Sequence, residues 1–168
     1  MTKPGIEIKI PNFGELHIKT ICSDYTGTLS VGGELVEGVR KRLRKLAKRV
    51  DIHVVTADTN NTSKKQLKDL PLTRHRIESD VKPHHIYKRD YILEQGLDPK
   101  HVAVFGNGRN DRCWLKLVKE ADGLAVAVDV GEGCAVETIN NANVFISDIV
   151  KGLDLLLCPN RIKATLRS

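Results

Sequence analysis

A chain of 168 residues, 40% apolar and 29% charged, has the size and balance of one soluble domain (1–168) with a buried core. No apolar run approaches the roughly 20 residues that a membrane-spanning helix needs. The N-terminus also lacks the apolar segment of a secretory signal, so the expectation is a cytoplasmic protein without a membrane partner. The net charge of +6 is compatible with a nucleic-acid or other polyanionic partner.

Residues Ile6 to Ile10 alternate with period two, Pro11-Asn12-Phe13-Gly14 reads as a turn, and Leu16 to Ile18 resumes the alternation. This predicts an N-terminal β-hairpin. An apolar run from Ile18 then delivers Asp24 into a tight polar turn, Tyr25-Thr26-Gly27-Thr28, closed by Leu29. Open α/β sheets place their ligands at such strand ends. Gly32-Gly33 and a short extended piece, Glu34 to Glu37, predict a small flap beside that turn.

Helix one is expected from about Gly38 to Val50. Its stretch 40–49 holds seven cations and no acid, with Val39, Leu43, Leu46, Ala47 and Val50 at helical spacing. The cations therefore read as the solvated outer face of an amphipathic helix. No aromatics interleave with them to stack on bases.

Ile52 to Thr56 reads as a buried strand ending on a hydroxyl. Thr62 to Leu70 reads as a helix with Thr62 as its N-cap. His75 to Ile77 suggests an edge strand. Pro83 opens a helix that Gly96 stops, with Ile86, Tyr87, Ile92 and Leu93 as its apolar residues. His101 to Phe105 is a strand running into Gly106-Asn107-Gly108-Arg109-Asn110-Asp111. A helix with the stripe Cys113, Trp114, Leu117 and Val118 follows. Then come a strand (Leu124 to Val128), a helix (Ala135 to Asn141), a last strand (Val144 to Ile146), a leucine-rich helix and a basic tail. Cys22, Cys113, Cys134 and Cys158 form no CxxC pair or Cys/His cluster, which fits reduced thiols rather than structural zinc. Cys22 reads as packing.

This alternation predicts a parallel, Rossmann-like sheet with helices on both faces, three layers in all. The strand ends at Asp24, Thr56 and Gly106 then share one edge. A carboxylate there can attack a phosphoryl group and split a hard hydrolysis into two easier steps. Phosphoryl transfer needs positioning and charge neutralisation. Asp24 and Asp111 offer oxygen ligands to Mg²⁺, and Lys88 offers a cation. Thr56 and the N–H of Ala57 can hold phosphate oxygens. Gly27, Gly106 and Gly108 allow close backbone approach.

Together, Asp24-Tyr25-Thr26-Gly27-Thr28-Leu29, Thr56, Lys88 and Gly106-Asn107-Gly108-Arg109-Asn110-Asp111 resemble the motifs of the haloacid dehalogenase-like phosphotransferase superfamily. Thr26 and the Gly-x-Gly-x-Asn-Asp pattern give the resemblance the flavour of a P-type ATPase phosphorylation domain. The chain looks like a free-standing relative of that domain, without its nucleotide domain and without a large cap. The resemblance implies a Mg²⁺-dependent phosphatase or phosphotransferase working through an aspartyl-phosphate on Asp24. It implies catalytic roles for Asp24, Thr26 and Lys88, phosphate contacts from Gly27, Thr56, Ala57 and Asn110, and metal ligation by Asp24, the Thr26 carbonyl, Asn107 and Asp111. Lys82 competes with Lys88 for the lysine role, and Lys88 is preferred because it follows Pro83 within a helix start and has an apolar residue, Ile92, one turn on. Thr26 replaces the acid that usually serves as general acid/base, so slow hydrolysis is expected. Asn107 replaces an acid of the metal motif. An open site suits a macromolecular phosphosubstrate, or a small one enclosed by another subunit of a homo-oligomer. The alternative reading is a non-catalytic module that senses phosphate or binds a polyanion. A receiver domain, which also orders Asp, Thr and Lys, fits less well because Asp24 ends the first strand of the sheet and not a later one.

Overall fold

The computed structural model describes residues 2–78 and 80–168. Its centre is a six-stranded, wholly parallel sheet of β3 (Thr20–Ser23), β6 (Asp51–Thr56), β7 (Thr73–Arg76), β8 (Val102–Gly106), β9 (Leu124–Val128) and β10 (Val144–Ile146). The order is β10-β9-β8-β3-β6-β7. The chain walks outward from β3 to β6 and β7, returns to β8, then walks the other way. Strand order therefore reverses between β3 and β8, and a crevice opens at their carboxyl ends, the usual ligand site of such sheets.

Strands buried on both faces read as continuous apolar runs, and β8 and β9 are buried at every residue. Helices α1 (Val39–Ala47), α6 (Ile149–Leu157) and α7 (Pro159–Leu166) cover one face, where Leu43, Leu46, Leu153, Leu156 and Ile162 join Ile21, Val54, Phe105 and Val126. Helices α3 (His84–Glu94), α4 (Arg112–Glu120) and α5 (Val136–Asn140) lie on the other, where Ile92, Trp114, Leu115 and Val118 meet Cys22, Val104 and Ala125. The Cys22 thiol packs in that core, and burial pushes its pKa up to about 12.

The N-terminal hairpin forms as expected from β1 (Ile6–Ile10) and β2 (Gly14–Ile18), as a separate two-stranded sheet. Its apolar face joins the α1/α6/α7 core. Between β3 and β6 the chain holds only the flap, β4 (Ser30–Val31) paired with β5 (Glu34–Leu35), and α1. There is no room for a large cap.

Several boundaries differ from expectation. Helix α2 runs only Thr62–Gln66, and Thr62 is its first residue, not its N-cap; Asn61 precedes it in the left-handed region. Asp58 does the capping instead, accepting from the Ser63 N–H at 2.8 Å and the Ser63 hydroxyl at 2.7 Å. In α4, Leu115 is buried in place of Cys113 and Leu117. Leu93 of α3 is exposed, because only one stripe of that helix meets the sheet. The basic tail is helical: Pro159 starts α7 and Ile162 anchors it in the core.

Candidate active site

β3 ends at Ser23, so Asp24 stands just beyond the sheet, with its N–H donating to the Phe105 carbonyl of β8 at 3.0 Å. The following turn winds on one acceptor: the N–H groups of Thr28, Leu29 and Ser30 all donate to the Tyr25 carbonyl, at 3.2, 3.0 and 3.2 Å. Gly27 sits at φ +75°, and a Cβ there would run into the Asn107 side chain. Thr28 points back into the site, its hydroxyl 3.4 Å from Asp24 Oδ2 and 3.1 Å from Asn107 Oδ1.

Lys88 of α3 reaches between the two halves of the sheet. Its Nζ donates to Asp24 Oδ1 and to Asp111 Oδ1, at 2.8 Å each. The ammonium and Asp111 are 0% exposed and the Asp24 side chain 7%. The Trp114 ring lies 5.0 Å beneath Nζ, a cation–π contact in a dry setting. Lys82 instead lies at the surface, paired with Asp90 at 2.9 Å. The geometry thus puts Lys88, not Lys82, with the two acids.

Asp111 Oδ2 accepts the N–H groups of Asn107 and Gly108, both at 3.1 Å. Both of its oxygens are therefore occupied, and it stands behind the cavity rather than in its wall. Gly106 makes this possible, because a Cβ there would lie 2.5 Å from the Asp111 side chain.

A cavity of about 530 Å³ opens above this cluster, lined by Asp24, Thr26, Thr56, Ala57, Asn107 and Asn110 among others. Of the site residues expected from sequence, these six line it, whereas Lys88 and Asp111 stand behind Asp24 and Gly27 lies in the turn beside Asn107. Thr56 ends β6, and its Oγ1 accepts the Asp58 N–H at 3.2 Å, leaving the hydroxyl proton free to donate. The Gly27 N–H is taken by the Ser30 carbonyl at 3.1 Å, so Gly27 contributes room rather than a donor.

Sequence reasoning missed Asp58, Glu132 and Trp114 as parts of this site. Glu132, in the β9–α5 loop, accepts the Gly32 N–H of the flap at 2.6 Å and so ties the flap to the opposite rim. Loop contacts across 100 residues of sequence leave no local signal.

Burial, and then the charge of Asp111, push the Asp24 carboxyl up to about 6, while Lys88 pulls the other way. Lys88 is held above its ordinary value by the two carboxylates, against the opposing effect of burial. Two buried carboxylates facing one ammonium leave a negative charge uncompensated. A divalent cation at the cavity would offset it. Among the described residues no three His, Cys, Asp or Glu side chains converge on one point. Mg²⁺ nevertheless needs only one or two protein carboxylates, with waters and phosphate oxygens completing its shell. Asp24, Asn107 and Thr26 all line the cavity, and their carboxylate, amide and carbonyl oxygens are the hard donors that such an ion takes.

No protein-family model matches the chain. Solved structures do. A putative haloacid dehalogenase family hydrolase from Streptomyces avermitilis superposes with a TM-score of 0.65 at 17% identity, over 85% of this chain and 87% of that one. The cobalt-bound deoxy-D-mannose-octulosonate 8-phosphate phosphatase of Haemophilus influenzae gives 0.63 at 14% identity, over 90% and 94%. The 3-deoxy-D-manno-octulosonate 8-phosphate phosphatase of Moraxella catarrhalis, in complex with magnesium, phosphate and its sugar acid, gives 0.64 at 15% identity, over 88% and 90%. In sequence, the uncharacterized protein MJ0073 of Methanocaldococcus jannaschii is 43% identical over 68 residues, 40% of this chain and 69% of that protein. The chain therefore has the haloacid dehalogenase-like fold and belongs to the same family as MJ0073.

Proposed function

We propose that the protein is a Mg²⁺-dependent phosphatase or phosphotransferase that passes a phosphoryl group through Asp24. The observation that carries this reading is the fully buried Lys88 ammonium, 2.8 Å from both Asp24 and Asp111. A buried ion cluster costs several kcal/mol in desolvation, and here it sits at the wall of a polar cavity at a topological switch point. The phosphatases among the structural neighbours support the reaction class.

In this reading, Lys88 fixes one oxygen of Asp24, and the other attacks phosphorus. A bond forms between that oxygen and phosphorus as the ester P–O bond breaks, and the leaving oxygen takes a proton from solvent. Thr56 and the N–H of Ala57 hold the phosphoryl oxygens, with the Asn110 amide opposite. Asp111 acts through Lys88 as a positioning residue. Asp24, Asn107 and the Thr26 carbonyl would hold the metal, which when bound neutralises charge on the phosphate. Water then hydrolyses the aspartyl-phosphate and regenerates Asp24. Thr26 neither protonates a leaving group nor activates that water, so the phosphoenzyme is long-lived.

Turnover of an aryl phosphate with Mg²⁺ tests this, wild type against Asp24→Asn. Activity in the wild type that EDTA abolishes and Asp24→Asn lacks is expected, with a beryllium fluoride adduct forming only on the wild type. Equal turnover by both proteins would refute it.

A further inference from the structure

Seven exposed cations lie on two neighbouring elements: Lys41, Arg44, Lys45 and Lys48 on or just after α1, and Lys64, Lys65 and Lys68 on or just after α2. None forms an ion pair with an acid among the described residues, whereas Arg42 of the same helix is taken by Asp154 at 3.2 Å. The two elements are pinned together, with the Arg40 guanidinium donating to the Gln66 carbonyl. Between them runs a groove of about 680 Å³ in which Arg44, Lys48 and Lys68 face one acid, Asp69.

α2 also leads to the cavity. Thr62, its first residue, lines the cavity beside Asn60. α2 runs from Thr62 to Gln66, about 6 Å at the helical rise, and Lys68 follows two residues on. That helical span corresponds to about two nucleotide steps at the roughly 3.4 Å axial rise of one strand.

We infer that this groove binds the sugar–phosphate backbone of a polynucleotide whose phosphorylated end enters the Asp24 cavity. The inference rests on the proposed phosphatase reading and names its substrate class. Charge complementarity selects the occupant. A membrane-bound face needs apolar side chains to insert, and the exposed large apolar residues, Phe13, Val31, Val81, Leu93, Val136 and Phe145, all lie outside α1 and α2. A protein partner is anchored by buried aromatic or aliphatic contacts, for which the groove offers only Ala47, Leu70 and Pro71. With no aromatic in the groove to stack on bases, the contacts are with phosphates and independent of base sequence.

The test uses a short fluorescein-labelled DNA duplex carrying a 3′-phosphate, with binding followed by anisotropy from about 50 to 200 mM salt. The comparison is wild type against the triple variant Arg44→Gln, Lys48→Gln, Lys68→Gln, whose sites are exposed. The variant should bind about tenfold or more weakly at low salt, and its log–log salt slope should shrink by about two to three. Its aryl phosphate turnover should be unchanged. Asp24→Asn should bind the duplex like wild type and release no phosphate from it. Absence of duplex binding at about 50 mM salt, equal binding by the triple variant, or tighter binding to phosphatidylserine vesicles overturns the inference. So does wild type that hydrolyses aryl phosphate and binds the duplex but leaves its phosphate in place. Failure of the phosphatase reading is distinct, because it appears as aryl phosphate turnover that survives Asp24→Asn.

Discussion

The Lys88 ammonium stands 2.8 Å from Asp24 Oδ1 and 2.8 Å from Asp111 Oδ1, with no exposed surface. It joins α3 to the ends of β3 and β8 and screens two carboxylates that would otherwise repel each other. Lys88→Met leaves both acids without their cation. Removing one partner of a buried ionic cluster typically costs about 3–5 kcal/mol. Urea denaturation of Lys88→Met near neutral pH should show a loss of that size, and a midpoint equal to wild type would show that the cluster does not hold the site together.

Asp24 gives a pH signature in metal-free protein. Its carboxyl is raised from 3.8 to about 6 by burial and by Asp111. In that window the native state binds more protons than the unfolded chain, so this group makes stability fall as pH rises through it. Asp24→Asn lacks the penalty, and its amide oxygen still accepts from Lys88. In EDTA the variant should gain on wild type as pH rises from 3.8 to about 6 and keep a lead of roughly 1–3 kcal/mol above that window. Unfolding midpoints measured on both sides of the window check this, and a gap that stays constant with pH would contradict it.

Thr26 lines the cavity two residues after Asp24, on the exposed side of the turn. Thr26→Asp places a carboxyl where it can protonate a leaving group and activate water. General acid/base catalysis is worth about 10²–10⁴-fold. Dephosphorylation should accelerate by about 10²-fold and the trapped phosphoenzyme should fall in step. Quenched-flow labelling measures both, and a faster turnover without loss of phosphoenzyme would place the limiting step elsewhere.

Gly106 ends β8 with Asp111 packed against its Cα. A methyl group there would meet Asp111 at 2.5 Å, and a side chain held by three hydrogen bonds does not yield readily. Gly106→Ala should cost about 1–3 kcal/mol and weaken turnover by displacing Asp111 from Lys88. Thermal melts and aryl phosphate kinetics on the same samples check the two effects, and a neutral outcome in both would mean that the loop shifts freely.

The sheet was legible because buried parallel strands carry continuous apolar runs and end on polar residues, as at Thr56 and Gly106. The helix faces were legible where one stripe is apolar, as in α1. Less was visible where structure depends on partners distant in sequence. Asp58 displaced Thr62 as the cap of α2 because a carboxylate five residues before Ser63 reaches both its N–H and its hydroxyl. The C-terminal basic tail became a helix because Ile162 found a place in the core, which its local composition does not announce.

By itself, the sequence determined which residues could do chemistry: a carboxylate at a first strand end, a hydroxyl at a second, and a glycine-rich loop ending in an acid at a third. Spacing and residue type suffice for that, because they follow from the strand–helix period. Only the tertiary structure decided among the lysines and divided the work between the two acids. Lys88 lies 64 residues from Asp24 and 23 from Asp111, and its place after Pro83 in a helix start, with Ile92 one turn on, favours it over Lys82 without bringing it to the acids. Packing of α3 against α4 over Trp114 drives its ammonium between the two carboxylates. Burial then turns Asp111 inward to hold Lys88 and leaves Asp24 facing the cavity.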